Sequence, residues 1–142
     1  MKIRDIMTQS VVSLNVNDTI ERAAELMEQY NIGSVPVCEG NKVVGMITDR
    51  DIAIRSSSQG QNSKTKVVRD VMSSNPVTAS PDMDVCEVSR IMSERQIRRI
   101  PIVENDNLVG IVALGDLAVD PKLEHEAEGA LSSISETSGS AF

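Results

Sequence analysis

Val43-Val44-Gly45-Met46-Ile47-Thr48-Asp49-Arg50-Asp51 returns 65 positions later as Leu108-Val109-Gly110-Ile111-Val112-Ala113-Leu114-Gly115-Asp116. The likeness extends outward in both directions. Residues 3–53 lie on residues 68–118 without a gap, and 12 of the 51 pairs are identical, so the chain holds an internal duplication and not a chance motif. Arg4-Asp5-Ile6-Met7 falls on Arg69-Asp70-Val71-Met72, and Val35-Pro36-Val37 on Ile100-Pro101-Ile102. Two copies of so short a unit predict two half-domains that bury their cores against each other, with a site at or beside the seam.

Each copy has the same order of elements. A segment ending in Met7-Thr8 or Met72-Ser73 precedes a short predicted strand, Val11–Leu14 or Val77–Ala79. A helix follows. Ile20, Ala23, Ala24 and Met27 recur at helical spacing and make one apolar stripe, matched by Val85, Val88 and Met92. Asp18 with Glu21, and Asp84 with Glu87, have the three-residue spacing of a capping box. Proline inside Val35-Pro36-Val37 and Ile100-Pro101-Ile102 argues for an edge or a strand start. The apolar runs 43–47 and 108–112 read as strands buried on both faces.

The expected organisation is residues 1–55 as unit one, 56–66 as a polar linker, 67–119 as unit two, and 120–142 as an acidic tail. In the tail Leu123, Ala127, Ala130, Leu131 and Ile134 allow a short helix, and residues 135–141 read as disordered.

Composition narrows the function. The chain has 142 residues and a net charge of −7, of which the tail carries −4. That balance opposes nucleic-acid binding, which depends on neutralising phosphates. Tyr30 and Phe142 are the only aromatic residues, so no stacking platform for single strands can form. No apolar stretch approaches the ~18 residues of a membrane helix, and no secretory pattern follows Met1. Cys38 and Cys86 read as reduced thiols of a cytoplasmic protein. One histidine, His125, and no metal-ligand spacing leave catalysis and metal binding without support.

These marks resemble the CBS domain, the module named after cystathionine β-synthase, over about residues 2–119. The marks are Arg4-Asp5-Ile6-Met7-Thr8, Val35-Pro36-Val37 and Gly45-Met46-Ile47-Thr48-Asp49-Arg50-Asp51, each with its twin. The resemblance implies a mixed α/β (α+β) fold. Two β-α-β-β-α units would pack about a pseudo-twofold axis, with a C-terminal helix added. It implies a stand-alone bacterial regulatory protein, often a homodimer, and not an enzyme. Its clefts between paired units would take AMP, ADP, ATP or S-adenosylmethionine, as in energy sensing, with no cofactor required. The alternative is a ligand-free dimerising scaffold that docks a protein partner.

Site candidates follow residue by residue. A ribose needs a carboxylate that accepts from two hydroxyls, and the resemblance puts Asp51 and Asp116 there. Thr48 at a strand-to-helix junction suits phosphate through a hydroxyl and free N–H groups; Thr48 with Asp51 also spells a plain capping box. Ala113 replaces the threonine in the second copy, so Asp116 there reads as a carboxylate without its capping partner. Arg98 and Arg99 suit phosphate through bidentate donation, or form a surface pair near Glu94 and Glu104. Arg50 sits beside the ribose position as a further phosphate candidate, and a plain helix-surface arginine explains it nearly as well. Gly33 could let the backbone approach a flat adenine. Val12, Ile32, Met46, Val77, Ile97 and Ile111 lie on segments that line the adenine cleft in the family, and their periodicity equally fits plain core.

Overall fold

The structure is a computed structural model that describes residues 1–57, 64–119, 129–131 and 133–134. It contains two compact units. One, called here the first unit, holds Val12–Pro76 with residues 106–108. The second unit holds Met1–Val11, Val77–Asn105 and the described residues from Val109 on. These bodies cut across the sequence repeats. Each repeat lends its leading segment to the unit built mainly from the other.

The first unit runs β1 (Leu14–Asn15), α1 (Ile20–Tyr30), β2 (Ser34–Glu39), β3 (Lys42–Thr48) and α2 (Asp49–Asp51), which continues as a π-helical stretch over Ile52–Ser57. β1 lies parallel to β2 with Leu14 beside Val37, and β2 turns back antiparallel onto β3. Gly40, at φ +64, makes that turn possible, because a side chain there would be strained. β1 is shorter than the expected 11–14. One step further along the parallel ladder, Ser13 would meet Pro36, which has no N–H to donate. The linker reading also loses its first residues: Ser56 and Ser57 are helical, and residues 58–63 lie outside the described residues.

α1 buries Ile20, Ala23, Leu26 and Met27. Ala24, expected on that stripe, is exposed, and Leu26 takes the inward position. The helix starts one residue later than expected. Thr19 is the N-cap, its Oγ1 accepting the Arg22 N–H at 3.1 Å, while Asp18 accepts from the Asn15 N–H at 2.8 Å in the preceding turn. Asn31 ends the helix in the left-handed region at φ 52.

The second unit runs through a single bridge from Ala79 to Ile102 in place of the expected strand 77–79, then α3 (Val85–Arg95), β5 (Arg99–Glu104), β6 (Asn107–Ala113), whose first two residues count with the first unit, and α4 (Leu114–Val119). β4 is the pair Ser73–Ser74, which belongs to the first unit and lies antiparallel on β3. Asp84 caps α3 by accepting the Cys86 N–H at 2.9 Å. Of the tail, residues 129–131 and 133–134 are helical. Ala130 is buried in this core, and Ser133 donates to the Ser93 carbonyl at 3.2 Å. Leu123, Ala127, His125 and residues 135–141 lie outside the described residues.

The exchanged segments are held alike. Ile3 is fully buried among Val85, Val88, Ile100 and Val112, and Val68 among Ile20, Val35 and Ile47. Burying one such aliphatic side chain stabilises by about 1.5–3 kcal/mol. Thr8 and Ile111 exchange two main-chain hydrogen bonds of 2.9 Å. Arg4 reaches Glu104 at 3.5 Å, and Arg69 reaches Glu39 at 3.3 Å. A methionine lies flat on a glycine in each unit. A β-carbon on Gly45 would stand 2.5 Å from Met72 Sδ, and one on Gly110 would stand 2.6 Å from Met7 Sδ.

Candidate functional site

Each unit has one corner where its second long strand passes into a helix. In the first unit, β2 and β3 place Ser34 beside Thr48. The Asp49 N–H donates to the Gly33 carbonyl at 3.0 Å, which brings Gly33 against the helix start. Thr48 and Asp51 then form a reciprocal capping box. The Asp51 N–H donates to Thr48 Oγ1 at 3.0 Å, and the Thr48 N–H to Asp51 Oδ2 at 2.9 Å. Among the described residues no donor engages the other Asp51 oxygen. Asp49 bends back so that its Oδ1 accepts the Arg50 N–H at 2.8 Å. A β-carbon on Gly33 would lie 3.3 Å from Asp49 Oδ2, so the side that Gly33 leaves open faces a carboxylate. Arg50 is exposed.

In the second unit the same joint is made with other side chains. The Leu114 N–H donates to the Arg98 carbonyl at 2.8 Å. The Ala113 N–H donates to Asp116 Oδ2 at 2.8 Å. This corrects one inference from the sequence. Asp116 did not lose its capping partner with the threonine, because the partner is the main-chain N–H of residue 113, which alanine also carries. Half of the box survives. The second Asp116 oxygen has no donor among the described residues.

Arg98 is exposed and Arg99 half-buried. The surface pairing with Glu94 and Glu104 does not form. Glu94 stands 3.9 Å from Arg90, and Glu104 stands 3.5 Å from Arg4. Neither Arg98 nor Arg99 has an ion pair or side-chain hydrogen bond among the described residues. The second corner is therefore basic, and the first carries Asp49 and Asp51 against Arg50.

The structure thus gathers Gly33, Thr48, Arg50 and Asp51 at one corner, and Arg98, Arg99 and Asp116 at the other. The apolar candidates divide. Val12 and Ile32 pack on the first unit's core, and Ile97 on the second unit's. Met46 and Val77 are half-buried, and Ile111 is only 7% exposed, tied to Thr8 as ordinary core. Sequence reasoning passed over Asp49, although it stands inside the quoted stretch. Its counterpart Leu114 was the signal, since a charge present in one copy only is a candidate for a difference in the site.

Among the described residues no three His, Cys, Asp or Glu side chains converge on a metal position. Burial pushes the Cys38 thiol up, away from the reactive thiolate. No helix of the described residues is long and apolar enough to cross a membrane.

Comparison with known proteins agrees with this architecture. The family model for the CBS domain matches twice, over residues 3–57 and 68–119. The CBS domain-containing protein YhcV of Bacillus subtilis is 47% identical over 133 residues, covering 94% of each chain. Among solved structures, Hypoxic Response Protein I with two coordinated zinc ions superposes with a TM-score of 0.78 at 31% identity, covering 84% of this chain and 98% of that one. The CBS domain pair of protein MJ0100 in complex with 5′-methylthioadenosine and S-adenosyl-L-methionine gives 0.73 at 30% identity, covering 84% and 94%. With both repeats matched and their element order reproduced in each unit, the chain belongs to the CBS-domain family as a tandem pair.

Proposed function

We propose that this chain is a regulatory module that binds an adenosyl ligand, of the class AMP, ADP, ATP or S-adenosylmethionine, and works as a cytoplasmic homodimer read by a protein partner. The observation that carries the reading is the state of the two aspartates. Asp51 and Asp116 each have one oxygen fixed by a main-chain N–H and the other without a donor among the described residues. A carboxylate so oriented is ready to accept from ribose hydroxyls at no cost in ordering. Arg98 and Arg99, without ion-pair partners among the described residues, suit a phosphate. The CBS domain pair of protein MJ0100, in complex with 5′-methylthioadenosine and S-adenosyl-L-methionine, supports the ligand class.

One observation favours the scaffold reading instead. Both aspartates already work as helix caps, which is a sufficient structural reason for them. Asp51→Asn separates the two. Asparagine Oδ1 can still accept the Thr48 N–H, while its amide turns the open acceptor into a donor. Titration calorimetry of the purified chain with AMP, ATP and S-adenosylmethionine should give heat with at least one of them. Asp51→Asn should weaken that ligand roughly ten- to a hundredfold, the range for a hydrogen bond to a charged group, with little change in melting temperature. No heat from any of the three would leave the scaffold.

A further inference from the structure

The helix that leaves the first corner ends in a tether. Arg55, in the π-helical stretch after Asp51, donates from Nη1 to the carbonyls of Val71 and Met72, both at 3.2 Å. Those carbonyls end the 3-10 turn Val68–Asp70 of the exchanged segment. The same segment is bound again from β3, because Met72 lies on Gly45 and Ser74 pairs with it. A closed circuit results: Gly45 leads along β3 to Thr48, Thr48 to Asp51, the helix to Arg55, and Arg55 back to Met72. The stretch that carries Arg55 is π-helical, and such segments are rare and frequent at functional sites.

We propose that Arg55 is a positioning residue that couples the Thr48–Asp51 corner to the docking of residues 66–76. The capping box holds one end of the helix and the guanidinium holds the other. Loosening either end lets the helix shift and weakens the opposite hold. Among the described residues the tether is found in the first unit. The repeat counterpart of Arg55 is Asp120, which has no guanidinium; it lies outside the described residues. In its ligand arm the proposal rests on the function proposed above, since a ligand on Asp51 would tighten the same circuit.

Amide exchange in the full chain tests it. The Val71 and Met72 N–H groups, both bonded to the Val68 carbonyl, report the docking of the segment. Without any ligand, Thr48→Val should speed their exchange about fivefold, the effect of a lost cap. Arg55→Met should also speed it, Arg55→Lys less so, and Thr48→Val should add little in the Arg55→Met background. The Met7 N–H, bonded to the Ile3 carbonyl in the second unit, should not change, which excludes general loosening. Multiplicative effects of the two substitutions, or no effect of Thr48→Val at residues 71 and 72, would overturn the proposal. With AMP, ATP or S-adenosylmethionine, whichever gives heat, the same amides should slow in the native chain and not in Arg55→Met. Slowing that persists in Arg55→Met overturns the coupling. Absence of heat from all three refutes the ligand reading alone, and the ligand-free arm still decides the coupling.

Discussion

The two corners share one main-chain design and differ in nearly every side chain upon it. Residues 33 and 98 accept the same helix N–H, and Asp51 and Asp116 accept the same cap N–H. Around that frame the first unit has Gly33, Thr48 and Asp49 where the second has Arg98, Ala113 and Leu114. The lesson is that the backbone bonds and the carboxylate specify the joint, while the surrounding positions are free to vary. What varies is charge. The first corner sets a carboxylate beside a bare backbone, and the second sets two arginines there.

The largest expected effect tests whether the units depend equally on their exchanged segments. Ile3→Ala should cost about 2–5 kcal/mol, and Val68→Ala about half as much, since valine surrenders fewer carbons; urea unfolding of each variant measures the ratio. Next come the glycines. Gly45→Ala and Gly110→Ala should each cost about 1–3 kcal/mol by overpacking. Gly45 should be the worse, because its new carbon would stand 2.9 Å from the Ser73 carbonyl oxygen, against 3.1 Å from that of Thr8 at Gly110. The caps follow. Thr48→Ala should cost about 1 kcal/mol, and Ala113→Thr should restore a full box and gain a similar amount. Thermal melting that shows no gain for Ala113→Thr would mean the second corner cannot hold the hydroxyl.

The smallest effect is a pH dependence confined to the second unit. There Arg4 also holds Asp82 at 2.8 Å, where the first unit has Asn17. The Arg4 hydrogen bond and charge, helped by Lys2, hold the Asp82 carboxyl below its ordinary value. A depressed carboxylate contributes stability that is present above its unfolded pKa of about 3.9 and is lost as pH falls through the lower folded value. Both groups are exposed, so screening keeps the effect small. Asp82→Asn should flatten the acid limb of the urea midpoint against pH below about 4, and added salt should do the same to the native chain.

The sequence made the β-α-β-β-α order plain because duplication repeats every local signal, and Thr48 with Asp51 is itself a local signal. Two kinds of fact stayed hidden. The partner of Asp116 is a main-chain N–H, which every residue except proline carries, so replacing Thr48 by Ala113 looked like a larger loss than it is. The exchange of leading segments was hidden for another reason. Ile3 and Val68 are equivalent in the alignment, and equivalence says nothing about which copy's core each one enters. The Arg55 tether spans 16 and 17 residues and ends on carbonyls, which leave no mark in a side-chain pattern.

The crossed ownership of those segments also sets an order of events at synthesis. A nascent chain that has emerged only to residue 57 has its first α-helix and hairpin, but not Val68 and Val71, which complete their core. Ile3 still lacks its cover, because Val85, Val88, Ile100 and Val112 have yet to emerge. One repeat of this sequence therefore does not encode one folded unit. The leading segment of the first repeat must wait for the body of the second before it is buried. Contacts so distant in sequence form slowly and leave apolar surface open to aggregation in the interval.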